Sequence, residues 1–421
     1  MKRRHFIQVG SLGLLSANQV LFAQEQNSTQ HKAVINIFLA GGPPHQDMWD
    51  IKDQAPKEIR GEFNPISTSI AGIQIGECFP QIAAMFDKFT AIRSITGCSG
   101  SHDAYQCVSG WSRKDKVSGT GYPAIGCVSS KVLGSTHVSV PACVGLTDGT
   151  GHKPWSEAGS PGYLGDQHKP FKPNGEMMDD LILNIESARL NDRKSLLGLV
   201  GKNSAEINTK LFTEESFSVL NTSRLVDALD ITKEDPRVRA RYGTGKPFKY
   251  TYDGAPTDNE QLLIARRLVE AGVRSVTLSY GRWDSHGSNF DLVRDHGGKL
   301  DQCVSALVTD LDERGMLDDV MVVVWGEFGR TPKINKGAGR DHWPQVSCAL
   351  LAGGGLNHGQ VIGSTNKLGE HAVDRPIHVQ EVCGMMYRGL GIEPDTTTII
   401  DNTGRPQYLL EHRTPIQELV G

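Results

Sequence analysis

Six nearly continuous apolar stretches constrain the fold of this 421-residue chain more than any other feature. They do not alternate between apolar and polar residues, as strands with one exposed face do. Strands that are apolar on both faces are typical of a parallel sheet covered by helices on both sides. The predicted strands are Ala33–Ala40, Phe89–Thr96, Val138–Leu146, Val273–Tyr280, Val320–Trp325 and Ser347–Ala352.

Stretches with helical periodicity lie between these strands. The predicted helices are Phe79–Lys88, Met178–Leu199, Ala205–Leu220, Asp258–Ala271 and Gly298–Arg314. Alternating strands and helices predict an α/β fold, a three-layer α/β/α sandwich with a mainly parallel central sheet. We expect residues 33–421 to form a single domain, with an insertion or cap at about 153–257, where the helical segments are long and polar.

The N-terminal residues 1–23 have the features of an export signal, in which a charged Lys2-Arg3-Arg4 precedes a modestly apolar stretch and Ala23 offers a cleavage site. The run Arg-Arg-His-Phe-Ile at 3–7 resembles the twin-arginine signal, whose export machinery carries folded proteins. An ordinary secretory signal or a retained anchor is the alternative. Residues 24–32 are then a polar linker, and we expect a periplasmic or secreted protein.

Charge and cysteine content argue against several classes of protein. The net charge is −4, and no basic run is longer than Lys2-Arg3-Arg4, so nothing indicates a nucleic-acid partner. No other stretch approaches the roughly 20 apolar residues of a membrane span, so we do not expect an integral membrane protein. The eight cysteines form no CxxC pair, and those in apolar surroundings, such as Cys348, are predicted to be buried free thiols.

Four polar clusters flank the predicted strands, where ligand sites of open α/β sheets are found. The first, at 41–47, offers His45 and Asp47 as cation ligands, unless it is only a Gly-Pro turn with a solvated Asp. The second, at 96–103, offers Ser99, Ser101 or Thr96 as a nucleophile and His102 as a ligand or base. Serines before a helix are, however, commonly N-terminal caps.

The other two clusters combine carboxylates, histidines and arginines. After the strand Val273–Tyr280, Asp284 and His286 can bind one ion, or they belong to a capped turn. The fourth cluster contains Glu327 and Arg330 after Val320–Trp325, and Arg340, Asp341 and His342 before the last strand. Either arginine is suited to bind a phosphate or sulfate dianion, the alternative being a structural ion pair with Glu327.

The motifs in these clusters, together with residues 58–63, resemble those of the DUF1501 family of exported bacterial proteins. They are Gly-Gly-Pro-x-His-x-Asp at 41–47, Glu-Ile-Arg-Gly-Glu-Phe at 58–63, Trp-Asp-x-His-Gly-x-Asn-Phe at 283–290, Gly-Glu-Phe-Gly-Arg-Thr-Pro at 326–332 and Gly-Arg-Asp-His-Trp at 339–343. The resemblance implies an alkaline-phosphatase-like fold, shared with sulfatases and cofactor-independent phosphoglycerate mutases. It also implies a site for one or two divalent ions. The mixed oxygen and imidazole ligands fit Zn, Mn or Ca.

The resemblance further implies which residues bind each ion. Asp47 and Glu327 would serve one ion and Asp284, His286 and His342 the other, with Asp341 and His45 as alternates. Two departures bear on this assignment. The Cys/Ser-x-Pro-x-Arg motif of formylglycine sulfatases is missing near 100–110, and Glu327-Phe328 stands where the superfamily has Asp-His.

We therefore expect a metal-dependent hydrolase, or related transferase, that acts on phosphate or sulfate esters. Its substrate would be a small ester or a sulfated or phosphorylated polymer, with Arg330 or Arg340 neutralising charge on the transferred group. The nucleophile is Ser99, Ser101 or a metal-bound water directed by His102. The alternative is a non-catalytic exported binding or assembly protein that retains the fold, with or without a structural ion.

Overall fold

The computed structural model describes residues 31–117, 119–137, 139–147, 152–173, 224–245 and 253–420. Within these ranges eight strands form one central sheet. They are β1 (Ala33–Phe38), β2 (Phe89–Thr96), β3 (Cys143–Gly145), β4 (Ser275–Ser279), β5 (Val320–Trp325), β6 (Ser347–Gly353), β7 (Gln360–Ile362) and β8 (Ile377–His378). Their order is β7-β2-β6-β5-β1-β4-β3, and β8 pairs with β2.

The predicted, mainly parallel sheet is confirmed, with one strand reversed. Strand β1 runs parallel to β4 and β5, whereas β6 is antiparallel to both of its neighbours, β5 and β2. The amino end of β6 therefore lies at the edge where β1, β4 and β5 have their carboxyl ends. Residues that precede β6 in the chain consequently meet residues that follow the parallel strands.

Helices cover both faces of the sheet, as the three-layer prediction requires. Along β1, Ile35 and Ile37 belong to a core cluster that includes residues of the helices Glu260–Ala271 and Asn289–Glu313. The alternate residues Val34 and Phe38 belong to a second cluster with the helices Ile125–Val132 and Val379–Gly389. Because successive strand residues point to opposite faces, both faces of β1 are buried.

Short elements make up the remainder of the described structure. The other α-helices are His45–Met48, Lys57–Arg60, Pro80–Ala84, Tyr105–Ser109, Arg224–Leu229, Pro236–Tyr242 and Gln417–Val420. Five two-stranded ribbons pair Pro65–Ser67 with Gln74–Gly76, Lys116–Val117 with Thr120–Gly121, Gly329–Arg330 with His342–Trp343, Ser364–Thr365 with Ala372–Asp374, and Thr398–Ile400 with Pro406–Tyr408. Single 3₁₀ turns are Phe86–Lys88, Lys153–Ser156, Gly162–Leu164, Asp166–His168 and Ile231–Lys233.

The largest disagreement with the predicted elements is the start of the longest helix. It begins at Asn289, nine residues before the predicted start at Gly298, and runs through the Gly297-Gly298 pair. Glycine has a low helix propensity, which is why the pair indicated a boundary. In the structure a Cβ on Gly297 would lie 3.1 Å from the Cβ of Cys78, so the glycine permits close packing against the segment that leads into Pro80–Ala84.

Two other predicted elements are shorter or divided. The predicted strand Val138–Leu146 contains only the three-residue β3. The predicted helix Phe79–Lys88 divides into an α-helical turn, Pro80–Ala84, and the 3₁₀ turn Phe86–Lys88. All eight cysteines are free, and Cys348 is buried as predicted.

The predicted export signal at 1–23 and the predicted helices Met178–Leu199 and Ala205–Leu220 lie outside the described residues. From the expected insertion at 153–257, the described helices Arg224–Leu229 and Pro236–Tyr242 pack against the helices Glu260–Ala271 and Asn289–Glu313, respectively. Among the described helices, none combines the length and apolarity needed to cross a bilayer.

Candidate metal centre

Four potential metal ligands converge at the carboxyl edge of the sheet. His102 follows β2, Asp284 and His286 follow β4, and His342 precedes the reversed strand β6. One ligand atom from each of these residues lies within 4.8 Å of all the others. Segments that are up to 240 residues apart in sequence thus meet at one point.

The distances between the ligand atoms suit a single divalent ion. The Oδ1 atom of Asp284 lies 3.4 Å from His102 Nε2, 3.1 Å from His286 Nε2 and 3.8 Å from His342 Nε2. The Nε2 atoms of His286 and His342 are 3.1 Å apart. Ligand atoms of a tetrahedral zinc ion are about 3.3 Å apart, because each metal–ligand bond is about 2.0–2.1 Å long. Three imidazoles and a carboxylate therefore fit such an ion.

Each imidazole is oriented by an acceptor on its outer side. His102 Nδ1 lies 3.0 Å from Glu327 Oε1, and His286 Nδ1 lies 2.7 Å from Asp341 Oδ1. His342 Nδ1 faces the carbonyl oxygen of Gly100 at 3.4 Å. When Nδ1 carries the proton and donates it outward, the Nε2 lone pair is available to a metal, which is the usual arrangement of metal-binding histidines.

The electrostatics of the cluster are dominated by close opposite charges. Burial lowers the pKa of His102, but hydrogen bonds to Asp284 and Glu327 outweigh it and raise the pKa above its ordinary value. Burial raises the pKa of Asp284, yet hydrogen bonds from His102 and His342, together with the charge of Arg330, hold it well below its usual range. Below this raised pKa of His102, a cation that binds here would displace a proton from the ring.

Glu327 lies behind His102, outside the group of four ligands. Its carboxylate is buried and accepts hydrogen bonds from the backbone N–H groups of Gly41 at 2.9 Å and Gly42 at 3.0 Å, as well as from His102. Gly41 has a φ of +108°, and a Cβ there would lie 2.4 Å from the backbone nitrogen of Asp284. The loop after β1 therefore needs glycine to bring Glu327 and Asp284 together.

Arg330 was predicted to bind a phosphate or sulfate dianion, but its guanidinium points into the protein. It is fully buried, and its Nη2 lies 2.6 Å from Asp284 Oδ1. Its Nε donates to the carbonyl oxygen of Gly42 at 2.9 Å, and its Nη1 to that of Arg340 at 3.0 Å. In this arrangement Arg330 keeps Asp284 ionised and in place.

Asp47 and Arg340 form a fully buried ion pair apart from the four ligands. Asp47 Oδ2 lies 2.7 Å from Arg340 Nε, Oδ1 lies 2.9 Å from Nη2, and Asn289 Nδ2 donates to Oδ2 at 2.8 Å. Arg340 also donates to the carbonyl oxygen of Ile59. The structure thus does not bring Asp47 to the cluster, and the predicted pairing of Asp47 with Glu327 around one ion is not what the geometry shows.

His45 also lies apart from the four ligands. It is fully buried, and its Nε2 lies 2.8 Å from the carbonyl oxygen of Gly369. Burial lowers the pKa of His45 below its ordinary value. The described residues offer its Nδ1 no hydrogen-bond partner.

The two candidate nucleophiles lie in the loop that carries His102. Ser99 is half-buried, and its backbone N–H donates to Gln106 Oε1 at 2.7 Å, whereas Ser101 is exposed. Neither serine caps the helix Tyr105–Ser109, because its N-cap is Ala104, and Asp103 Oδ1 accepts from the backbone N–H of Tyr105 at 2.9 Å.

Sequence reasoning missed three residues around the centre. Asn335 Nδ2 donates to the carbonyl oxygen of His286 at 2.9 Å and lies 3.3 Å from Asp341 Oδ1. Two buried rings flank His102, Trp155 edge-on at a centroid distance of 4.4 Å and Phe328 at 5.2 Å. The signal for Asn335 was its position before Gly337 and Gly339, a pattern typical of a side-chain-stabilised turn.

Fold and site together define an α/β protein with a candidate single-ion centre at the carboxyl edge of its sheet. Residues 31–420 match the family described as "Protein of unknown function (DUF1501)". The chain belongs to this family, as its motifs predicted. No curated protein matches the sequence.

Solved structures give distant similarities. The PsFucS1 sulfatase from Pseudoalteromonas sp. is 13% identical with a TM-score of 0.36, covering 94% of this chain and 73% of its own. The structure of Ps i-CgsB is 10% identical with a TM-score of 0.37, covering 86% and 72%. A mutant of TAB5 alkaline phosphatase with Mg bound is 9% identical with a TM-score of 0.34, covering 86% and 99%.

Proposed function

We propose that this protein is a metal-dependent hydrolase, or related transferase, of phosphate or sulfate esters. Its centre would hold one divalent ion through His102, Asp284, His286 and His342. The observation that carries the proposal is the convergence of three imidazole Nε2 atoms on one carboxylate, each imidazole held from behind through Nδ1. Mixed nitrogen and oxygen ligands favour Zn²⁺, with Mn²⁺ as an alternative.

The two sides of the centre differ in exposure, which suits a site that meets a substrate. The side chains of His286 and His342 are 48% and 31% exposed, whereas that of Asp284 is 10% exposed. Trp155 and Phe328 close the inner side. A divalent ion bound here would polarise an ester oxygen and lower the pKa of a bound water to about 7.

Water is the proposed nucleophile, in preference to Ser99 or Ser101. Both ring nitrogens of His102 are engaged, one with Glu327 and one with the ligand cluster, so this ring is not free to take a proton from either serine. Because both arginines are committed to internal partners, negative charge on the transferred group would be balanced by the ion itself.

A second function, a non-catalytic binding or assembly protein with a structural ion, is favoured by a different observation. Structural zinc sites use four protein ligands, whereas catalytic sites use three and keep one position open. If Asp284 is a full ligand, the set of four is complete. If Arg330, at 2.6 Å, keeps Asp284 from the ion, three imidazoles remain and one position is open.

Metal content and turnover measured together separate these functions. The purified protein is analysed for bound metals and assayed with aryl phosphate, phosphodiester and sulfate esters, before and after chelation. The His286→Ala variant is compared with Asp291→Ala, which removes a side chain that is 84% exposed. The hydrolase predicts one ion and a turnover that chelation and His286→Ala abolish but Asp291→Ala preserves.

Other outcomes decide against the hydrolase. One bound ion, no turnover with any ester and a lower melting temperature after chelation would establish the structural role instead. A protein that binds no divalent ion would rule out both forms of the proposal.

We propose further that the protein is exported through the twin-arginine machinery and acts in the periplasm or outside the cell, on small esters or sulfated or phosphorylated polymers. The support is the Arg3-Arg4 pair ahead of an apolar stretch. Cell fractionation tests it: replacing both arginines by lysine should retain the protein in the cytoplasm. Unchanged export would argue for an ordinary secretory signal.

A further inference from the structure

Backbone hydrogen bonds join the loop 335–340 to the loop that carries His286. The N–H groups of Ser288 and Asn289 donate to the carbonyl oxygens of Gly337 at 3.0 Å and Ala338 at 2.9 Å. Arg340 N–H donates to the carbonyl oxygen of Ser285 at 2.8 Å. Ser288 and Ala338 have φ angles of 49° and 54°, a left-handed conformation that non-glycine residues adopt rarely and that the surroundings must stabilise.

Asn335 lies at the centre of this contact and uses both ends of its amide. Its Oδ1 accepts hydrogen bonds from the backbone N–H groups of Gly337 and Gly339, each at 2.9 Å. Its Nδ2 donates to the carbonyl oxygen of His286 and lies 3.3 Å from Asp341 Oδ1. Reversing the amide would place donors against donors and acceptors against acceptors, so the four partners determine its orientation.

We propose that Asn335 is a positioning residue of the metal centre. It holds the carboxylate of Asp341, and that carboxylate in turn orients His286 so that His286 Nε2 faces the other ligands. One oxygen, Asp341 Oδ1, accepts both from Asn335 and from His286 Nδ1, which makes Asp341 the link between amide and imidazole. This inference rests on the metal site of the proposed function.

The exposure of the two linked side chains explains why such a residue is needed. Asp341 is 53% and His286 is 48% exposed, so neither is held in one rotamer by surrounding packing. Ordering exposed side chains on metal binding costs conformational entropy. The four hydrogen bonds of Asn335 order the turn and the Asp341 carboxylate when the protein folds. Less conformational entropy is therefore lost when the metal binds.

The test is a pair of asparagine-to-aspartate substitutions. Asn335→Asp retains an oxygen for the N–H groups of Gly337 and Gly339, removes the donor to Asp341 and adds a like charge beside it. The matched control is Asn366→Asp, because Asn366 makes a similar two-sided contact with Glu370, through Nδ2 at 2.9 Å and Oδ1 at 2.7 Å. Both variants thus place a new carboxylate beside an existing one.

Zn²⁺ affinity by competition titration and the visible spectrum of the Co²⁺-loaded protein are the readouts. We expect Asn335→Asp to weaken Zn²⁺ binding about tenfold, the lower range for outer partners of metal ligands, and to change the Co²⁺ spectrum. Asn366→Asp should leave both unchanged. If Asn335→Asp does not fold, Asn335→Ser, which keeps a neutral acceptor, takes its place.

A double-mutant cycle with Asp341→Ala separates positioning from general loop stability. If Asn335 acts through Asp341, its substitution adds little once Asp341 is removed. Equal effects in both backgrounds would overturn the inference, as would wild-type affinity in Asn335→Asp. In either case, loss of Zn²⁺ binding in His286→Ala would still support the metal site of the proposed function. A wild-type protein without Zn²⁺ affinity would overturn both that site and the role of Asn335.

Discussion

Asp47 and Asp284 follow neighbouring strands, β1 and β4, and each meets a buried arginine, but their surroundings differ. Asp47 is fully buried, and both of its oxygens are taken by Arg340 and Asn289. Asp284 pairs with Arg330, yet three imidazole nitrogens lie within 3.1–3.8 Å of its Oδ1. A carboxylate at a strand end therefore becomes a candidate ligand only where histidines from other segments reach it.

The largest effect on stability is expected from Asp47→Ala. Removing this carboxylate leaves the guanidinium of Arg340 buried without its counter-ion, which costs about 3–5 kcal/mol in comparable buried pairs. Denaturant unfolding measures the loss. The metal content of the fraction that remains folded should stay as in the wild type. A loss of unfolding free energy below about 1 kcal/mol, the range of exposed ion pairs, would mean that water reaches the Asp47–Arg340 pair.

The reverse pattern is expected for Asp284→Asn. The side chain keeps its shape but loses its charge, so metal affinity should fall by more than the roughly 10–100-fold typical of outer partners. Folding should be less affected than in Asp47→Ala, because asparagine keeps a side-chain oxygen for Arg330, whereas alanine offers Arg340 none. Isothermal titration with Zn²⁺ checks this, and equal metal affinities of Asp284→Asn and Asp47→Asn would erase the distinction between the two aspartates.

Much of the fold could be predicted from sequence, because buried strands are determined by local apolar runs. The bounds predicted for β2 and β5 agree with the structure. The reversal of β6 could not be predicted, since an apolar run carries no direction. The start of the long helix was misplaced because the packing of Gly297 against Cys78 depends on tertiary contacts.

The site could be predicted only as a set of strand-end clusters. The motifs singled out Asp284, His286 and His342, and they raised His102 as a ligand or base. They could not separate Asp47 from Asp284, because the partner of Asp47 is Arg340, which is 293 residues away in sequence. The same limit applies to Glu327, whose contacts with Gly41 and His102 arise only when β1, β2 and β5 align.

Glu327→Gln tests a residue that contacts a ligand, His102, without being one of the four. We expect its loss of Zn²⁺ affinity to be smaller than that of Asp284→Asn and larger than that of Asp47→Asn. Three N–H groups, from Gly41, Gly42 and His102, converge on this carboxylate. The NH₂ group of a glutamine would face at least one of these N–H groups, donor against donor. We therefore expect Zn²⁺ affinity to fall about 10–100-fold. Unchanged affinity would mean that the Nδ1 of His102 needs no acceptor. Competition titration against a chelator of known affinity provides the measurement.

The smallest expected effect is the pH dependence of metal binding. Although burial lowers the pKa of His102, hydrogen bonds to Asp284 and Glu327 raise it above its ordinary value near 6.5. Below this raised pKa a proton competes with the metal, and Zn²⁺ affinity should rise as pH increases through it. The contribution of His102 to metal-free stability has the opposite sign: it is fully present below the unfolded pKa and is lost as pH rises through the folded one.

Two titrations, of Zn²⁺ affinity and of unfolding free energy between pH 6 and 9, test both signs. Substituting Glu327 by Gln removes one source of the raised pKa and should flatten both curves. Substituting Asp47 by Asn should leave the slope of the affinity curve unchanged, because Asp47 contacts Arg340 and Asn289 and not His102. An affinity that does not vary with pH would show that His102 is already neutral, and the Asp284 cluster would then bind metal without displacing a proton.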